Sequence, residues 1–233
     1  MRAAVRVSAV LMTVVIGAAG AASCSRDSPA PAASEPTKAI AAPHPEPSGT
    51  PTAPQAAELP THAVSGDKRP ALGAGDTMAT GYTGREFLAG LSGDWKLKLD
   101  KPVAQEMPDG EKRTYVHGRG AGGMTISAGY ADHEDMSSLL CRTGTDQSDG
   151  PGFLAACTGL DVAGVDRGKA SSWLKKAKKE TDSLYEKRVA ETGNKKEYVV
   201  SGVFTSGPVT MVLHRAYDKY SLRILGGAVA RSK

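Results

Sequence analysis

The side chains best suited to chemistry lie together near the middle of the chain, in the run Asp132-His133-Glu134-Asp135. Carboxylate oxygens of a short acidic turn can bind Ca²⁺, and an imidazole beside a carboxylate can bind Zn²⁺. The spacing matches neither an EF-hand loop nor an H-E-x-x-H helix. We therefore interpret the run as a solvated turn in which Asp135 caps the next segment, with metal binding as the alternative. We assign no metal and no cofactor.

The glycine-rich segment His117-Gly118-Arg119-Gly120-Ala121-Gly122-Gly123 has the composition of a phosphate-binding loop. Such a loop needs a helix directly after it, so that the helix N-terminus faces the anion. The residues that follow, 124–130, instead alternate between apolar and polar types, which indicates a strand. We therefore predict a hairpin connection at this segment.

Three histidines of the folded part, His117, His133 and His214, could each serve as a general base. The sequence places no G-x-S-x-G elbow and no S-x-x-K at a helix start beside them. His214 stands in an alternating strand pattern, where a satisfied or half-exposed histidine is typical. We find no coherent catalytic set and predict no catalytic residues.

The N-terminal segment, residues 1–24, has the three-part layout of an export signal. It begins with Arg2 and Arg6, continues through an apolar run at 7–16 and ends in Ala21-Ala22-Ser23-Cys24. These last four residues resemble the lipobox of bacterial lipoproteins. The resemblance implies that a diacylglyceryl group is attached to the Cys24 sulfur and that residues 1–23 are removed as a signal peptide.

The predicted location is the cell membrane, on its extracytoplasmic face, with the lipid on Cys24 as the anchor. One acyl chain holds a protein weakly and two hold it durably, so a diacylglyceryl group suffices. The apolar run is shorter than the roughly 20 residues that a membrane-spanning helix needs. The alternative is cleavage after Ala21, because Ala19-Gly20-Ala21 fits the small-x-small rule, and it would release a soluble protein.

The overall charge of the chain gives no reason to expect a nucleic-acid partner. The formal net charge is +4, and two of the positive charges, Arg2 and Arg6, belong to the signal. A balance so near neutral does not attract a polyphosphate backbone, and export argues further against nucleic acid. We expect the membrane as one partner, and a cell-envelope protein or wall polymer as another.

The chain has 3 cysteines, and an odd number in an exported protein requires an explanation. If Cys24 carries the lipid, Cys141 and Cys157 remain as a pair. Outside the cytoplasm we predict that they form a disulfide, with two buried thiols as the alternative. A closed loop of about 15 residues stabilises the fold by roughly 3 kcal/mol in the chain-entropy model.

Composition divides the 233 residues into three parts. Residues 1–23 are the signal peptide. Residues 24–75 are rich in Pro, Ala, Ser and Thr, and they lack the large apolar side chains that offset the entropy of ordering, so we predict a disordered tether. Residues 76–233 form a single globular domain.

The periodicity of the domain predicts an α+β fold, an antiparallel sheet of about six strands with one long helix and short helices packed on one face. Strands are indicated at 95–99, 113–117, 124–130, 198–204, 209–217 and 220–225. The long helix covers 168–191, and its lysines at 175, 176, 178 and 179 form a solvated face paired with Glu180, Asp182 and Glu186. The segment 136–142 is compatible with helix or strand.

These patterns favour a lipid-anchored, extracytoplasmic, non-catalytic binding or interaction module whose ligand the sequence does not identify. One alternative is an extracytoplasmic hydrolase that uses His133 or His117 with nearby carboxylates. The other is a carrier of an apolar ligand held between the long helix and the sheet.

Overall fold

Strands whose residues alternate between buried and solvent-facing positions make up most of the folded chain. The computed structural model describes residues 59–72, 77–107, 110–131 and 134–227. The predicted signal peptide, Cys24 and the predicted tether up to residue 58 lie outside these described residues. All the described residues belong to one compact unit.

Ten strands lie within the described residues, and they form one sheet in which all pairs are antiparallel. They are β1 (Val64–Ser65), β2 (Lys98–Leu99), β3 (Val103–Glu106), β4 (Lys112–Arg119), β5 (Thr125–Tyr130), β6 (Met136–Gly144), β7 (Tyr198–Val200), β8 (Phe204–Ser206), β9 (Val209–Ala216) and β10 (Lys219–Gly226). The order across the sheet is β1-β7-β9-β10-β6-β5-β4-β2, with β3 beside β4 and β8 beside β9.

The prediction of about six strands is therefore wrong in number, whereas the antiparallel α+β class is confirmed. The ambiguous segment 136–142 belongs to β6, which lies in the middle of the sheet between β5 and β10. The other additional strands, β1, β3 and β8, have two to four residues. Strands so short carry too few alternating positions to be recognised by periodicity.

Three helices accompany the sheet in the described part of the chain: α1 (Arg85–Asp94), α2 (Gly150–Cys157) and α3 (Arg167–Thr192). The carboxylate of Asp166 accepts a hydrogen bond from the Lys169 amide at 2.9 Å and caps the start of α3. Gly193, at φ 69°, ends α3 in the left-handed conformation that favours glycine. Helix α1 begins after Gly84, and the Arg85 amide donates a hydrogen bond to the Thr83 hydroxyl at 3.4 Å.

The apolar side chains of the helices and the inward residues of the strands form one core. In α3 this side consists of Ala170, Leu174, Ala177, Thr181 and Tyr185, all buried, as its periodicity predicts. Lys176 and Lys178 pair with Glu180 and Asp182, four residues further along the helix in each case. None of the helices in the described residues is long and apolar enough to cross a membrane.

A disulfide joins Cys141 on β6 to Cys157 at the end of α2, which confirms the predicted pair. The two Cα atoms are 6.7 Å apart, and both residues are fully buried. The bond therefore fastens a helix to the strand at the centre of the sheet.

Residues that belong to the sheet lie before the predicted domain boundary at residue 76. The carbonyl of Pro60 accepts a hydrogen bond from the Val203 amide at 2.7 Å, and β1 extends the sheet beside β7. Residues 59–72 are held to the sheet by backbone pairing and not by large buried apolar side chains. Composition therefore placed residues 59–72 in the tether.

Candidate functional site

The two faces of the sheet differ in chemistry. Helices and the core cover the inner face, which carries Ile126, Leu139, Leu222 and their apolar neighbours. The outward face carries the alternate residues of the same strands, because successive side chains of a strand point to opposite sides. No α-helix within the described residues packs on that outward side, where a 3-10 turn at Gly66–Lys68 contacts β7.

The outward positions of strands β2, β4, β5, β6, β10 and β9 hold cations and no carboxylate. Register places the following on this face: Lys98, Arg113, Arg119, Arg142, Lys219 and Arg223. Arg113 pairs with Glu111, and Lys219 lies 3.9 Å from the Asp218 carboxylate. Lys98, Arg119, Arg142 and Arg223 form no ion pair within the described residues.

Three of these cations belong to one line of cross-strand neighbours, which we call the basic row. The row consists of Lys98, Arg119, Thr125, Arg142, Ser221 and His214, each paired in register with the next. Lys98, Arg119 and Arg142 are exposed, and the hydroxyls of Thr125 and Ser221 lie between or beside them in the row. Arg223 stands two residues further along β10 on the same face.

The segment 66–72 crosses the outward face above the His214 end of the basic row. It encloses a depression of about 510 Å³ that is lined by Arg69, Tyr198, Val212, His214 and Arg223, among others. Gly66 is required for this crossing, since a Cβ atom there would lie 2.2 Å from the Tyr198 ring. The exposed Arg69 thereby joins the cations of the strands.

His214 is held neutral in this depression. Burial, followed by the positive charges of Arg223, Arg69 and Arg142, lowers the pKa of His214 to about 4. The Tyr198 hydroxyl contacts the His214 Nδ1 atom, and burial raises the pKa of Tyr198, so the phenol keeps its proton. We infer that the phenol donates to the neutral imidazole.

One carboxylate, that of Asp67, also lines the depression. It accepts a hydrogen bond from the Ser65 hydroxyl, and this bond lowers the pKa of Asp67. Asp67 forms no ion pair with the arginines among the described residues, so their charge is not neutralised by it.

The arrangement suits the binding of an anion better than catalysis. The hydroxyl in contact with His214 Nδ1 is the Tyr198 phenol, whose raised pKa keeps it protonated, so this pair does not supply an activated nucleophile. A base with a pKa near 4 is also too weak to take a proton from such groups at neutral pH. Guanidinium groups, in contrast, match the geometry of phosphate and carboxylate oxygens.

The glycine-rich segment connects two strands, as predicted. A short 3-10 turn at Ala121–Gly123 joins β4 to β5, and no helix N-terminus follows it. His117 and Arg119 of this segment instead line a second depression of about 340 Å³ on the outward face, together with Arg142. The loop is thus not the anion site, but two of its residues belong to the basic face.

The acidic run does not form a metal site from its described residues. Glu134 pairs with Arg85, and the Asp135 carboxylate accepts a hydrogen bond from the Gly81 amide at 3.1 Å. Asp132 and His133 lie outside the described residues. Elsewhere in the part of the chain that the structure describes, no group of three or more His, Cys, Asp or Glu side chains could hold a metal ion.

A second concave site, of about 590 Å³, lies between α1 and the sheet. We call it the α1 groove. Its apolar lining consists of Leu88, Ala89, Leu99, Pro102, Ala104 and Val116. Register places Thr114 opposite Tyr130 at one end and Gly118 opposite Leu99 at the other. The first end also carries Arg85, Lys112 and Glu134, so the groove is polar at one end and apolar along the rest.

Sequence reasoning missed the basic face because each arginine lies in a different strand. A search for runs of like charge finds the helix lysines and overlooks cations separated by tens of residues. The alternation of residues nevertheless contains the signal. In β4, β6 and β10 the arginines occupy the alternate positions that do not face the core, and no acidic residue occupies those positions. Only strand order brings them together.

The depressed pKa of His214 makes stability depend on pH. The unfolded chain binds a proton on His214 below the usual pKa of about 6.5, whereas the folded protein binds it only below a pKa of about 4. The free energy of unfolding therefore decreases as the pH falls from about 6.5 to about 4. Between pH 7.5 and pH 5 we expect the wild type to lose about 2 kcal/mol more free energy of unfolding than His214→Gln. Urea titrations of both proteins measure it, and parallel pH curves would contradict the assignment.

Comparison with protein-family models, curated proteins and solved structures finds no match to this chain.

Proposed function

We propose that the protein is a lipid-anchored, extracytoplasmic, non-catalytic binding module that takes an anionic ligand on the outward face of its sheet. The observation that carries the proposal is the set of arginines without acid partners around His214. The lipobox-like sequence at Ala21-Ala22-Ser23-Cys24 supports the anchor and the location.

Unpaired cations on a folded surface are ordinary when they are scattered. Here they share one face of the sheet with hydroxyl side chains, and carboxylates near that face are held otherwise: Glu111 pairs with Arg113, and Asp67 accepts a hydrogen bond from the Ser65 hydroxyl. Desolvating a carboxylate or phosphate against several guanidinium groups gives charge-assisted hydrogen bonds, which are about twice as strong as neutral ones. An extracytoplasmic domain meets such groups on wall polymers and lipid headgroups.

The anchor is tested at Cys24. Replacing it by serine removes the sulfur that would carry the diacylglyceryl group, so Cys24→Ser should appear in the soluble fraction while the wild type stays with the membrane. Intact-mass measurement of the wild type should give a chain that begins at Cys24 and carries the mass of the lipid. An unmodified chain beginning at Ala22 would contradict the anchor and indicate cleavage after Ala21.

The anionic ligand is tested by retention on a phosphocellulose column. The double variant Arg142→Gln/Arg223→Gln should elute at a clearly lower salt concentration than the wild type, because it removes two cations from the face that contacts the phosphate groups. Lys175→Gln/Lys179→Gln is the matched control, since it removes the same charge from exposed positions of α3. If both double variants elute at equally lowered salt concentrations, retention depends on net charge alone, and the proposal is contradicted.

A second candidate function, a carrier of an apolar ligand, is favoured by the α1 groove. A volume of about 590 Å³ lies within the range of sites for small molecules, and such sites combine an apolar lining with a few polar groups. The ligand would be a single-chain amphiphile, with its chain along Leu99 and Val116 and its polar head near Tyr130 and Lys112. The groove lies between α1 and the sheet, whereas the hypothesis from the sequence placed the apolar ligand between the long helix and the sheet.

Filling the α1 groove tests the carrier. Ala104 is exposed and lines the groove, so Ala104→Trp should lower the affinity for a fluorescent long-chain fatty-acid probe by about tenfold or more through steric exclusion. Val103 is the adjacent residue of β3 and points to the opposite face of the sheet, so Val103→Trp is the matched control and should bind as the wild type does. Equal binding by both variants would exclude the groove as the site.

A further inference from the structure

Three cations of the outward face, Lys98, Arg119 and Arg142, lie in one line, and we propose that the ligand of this face is a linear polymer with repeated phosphate groups that lies across the strands along the basic row. This inference rests on the proposed function, because it names the class of ligand for the same face.

The length of the basic row exceeds what one small anion can cover. From Lys98 on β2 to His214 on β9 the row crosses five strand intervals. Neighbouring strands are about 4.8 Å apart, so the row is about 24 Å long. A single phosphate contacts one or two of its cations, whereas a chain of phosphates contacts all of them.

Two depressions lie along this line, and Arg142 links them. The depression of about 510 Å³ contains Arg69, Arg223 and His214, and the one of about 340 Å³ contains Arg119 and Arg142. The charge of Arg142 also acts on His214, which places it within electrostatic reach of the first depression. The face therefore offers two connected anion subsites.

The pairing of β2 with β4 is an independent indication. Lys98 lies directly opposite Arg119 in the antiparallel register, and like charges in that position destabilise a sheet. No carboxylate of the described residues forms an ion pair with either cation. A phosphate placed between them would convert the repulsion into two attractive contacts.

A phosphate chain can use the hydroxyl groups of the face as well as its cations. The row and its neighbours offer hydroxyl donors at Thr125, Ser127 and Ser221 in addition to the guanidinium groups. An internal phosphate of a chain has two non-bridging oxygens, and each accepts charge-assisted hydrogen bonds. It can therefore bind a guanidinium and a hydroxyl on neighbouring strands at the same time.

The test measures binding of the full chain to tripolyphosphate and to an inorganic polyphosphate chain longer than about 24 Å. We expect the long chain to bind at least tenfold more tightly to the wild type. Lys98→Gln/Arg119→Gln removes the far end of the row and should abolish most of this advantage, because it lowers the affinity for the long chain by a larger factor than the affinity for tripolyphosphate. Arg69→Gln/Arg223→Gln should weaken both probes, and Lys175→Gln/Lys179→Gln should weaken neither.

Salt dependence gives a second readout that a folding defect does not imitate. The slope of log affinity against log salt concentration for the long chain should fall by about one for each phosphate-contacting cation removed. Thermal unfolding of each variant verifies that the fold is intact.

Other outcomes distinguish a failure of the polymer proposal from a failure of the anion-binding proposal. If both probes bind the wild type equally, the face binds single anions and the polymer is excluded. If neither probe binds the wild type, the proposed anion-binding function is contradicted as well. Polyglutamate that binds as tightly as polyphosphate at matched charge would overturn the phosphate assignment, and tighter binding of an oligothymidylate of matched charge would replace the polymer by nucleic acid.

Discussion

The period of two in a β-strand is the constraint on which the rest of this structure depends. It gives the antiparallel sheet two faces that can be composed independently, and here the three α-helices of the described residues share the core on the inner one. Cys141 of β6 and Leu222 of β10 point to the inner face, whereas Arg142 and Arg223 of the same two strands point to the outward face. The same strands thus supply both the hydrophobic core and a surface rich in guanidinium groups.

A polar contact between helix and sheet keeps α3 on the inner face. The Asp182 carboxylate accepts from Lys178 Nζ at 2.8 Å and from Arg215 Nε at 3.3 Å, and it also accepts from the Tyr220 hydroxyl. The Arg215 guanidinium lies over the Tyr185 ring at 4.1 Å. Together with the disulfide that fastens α2, this contact fixes the α-helices at one side, and of the described residues segment 66–72 crosses the outward face.

Elements with strong local signals could be predicted from the sequence, and those that depend on pairing could not. The 3.6-residue period of α3 and the tight connection between β9 and β10 are local, so their positions were predicted to within a few residues. Strand β6 lacks a distinctive local pattern, and β1 is held by backbone bonds to β7. The clustering of cations on the outward face depends on the order of strands far apart in sequence, which no local pattern contains, whereas the disulfide was predicted by counting cysteines in a chain expected to be exported.

The electrostatics of the outward face also explain the state of His214. A protonated imidazole would add a charge beside Arg69, Arg142 and Arg223, and burial makes that charge more costly, so the ring stays neutral near pH 7. The positive charge of the face then comes from guanidinium and ammonium groups, and guanidinium groups do not titrate in the physiological range. A ligand held by these groups is therefore governed by salt concentration more than by pH. The Tyr198 contact keeps the neutral ring in place as part of the wall of the depression.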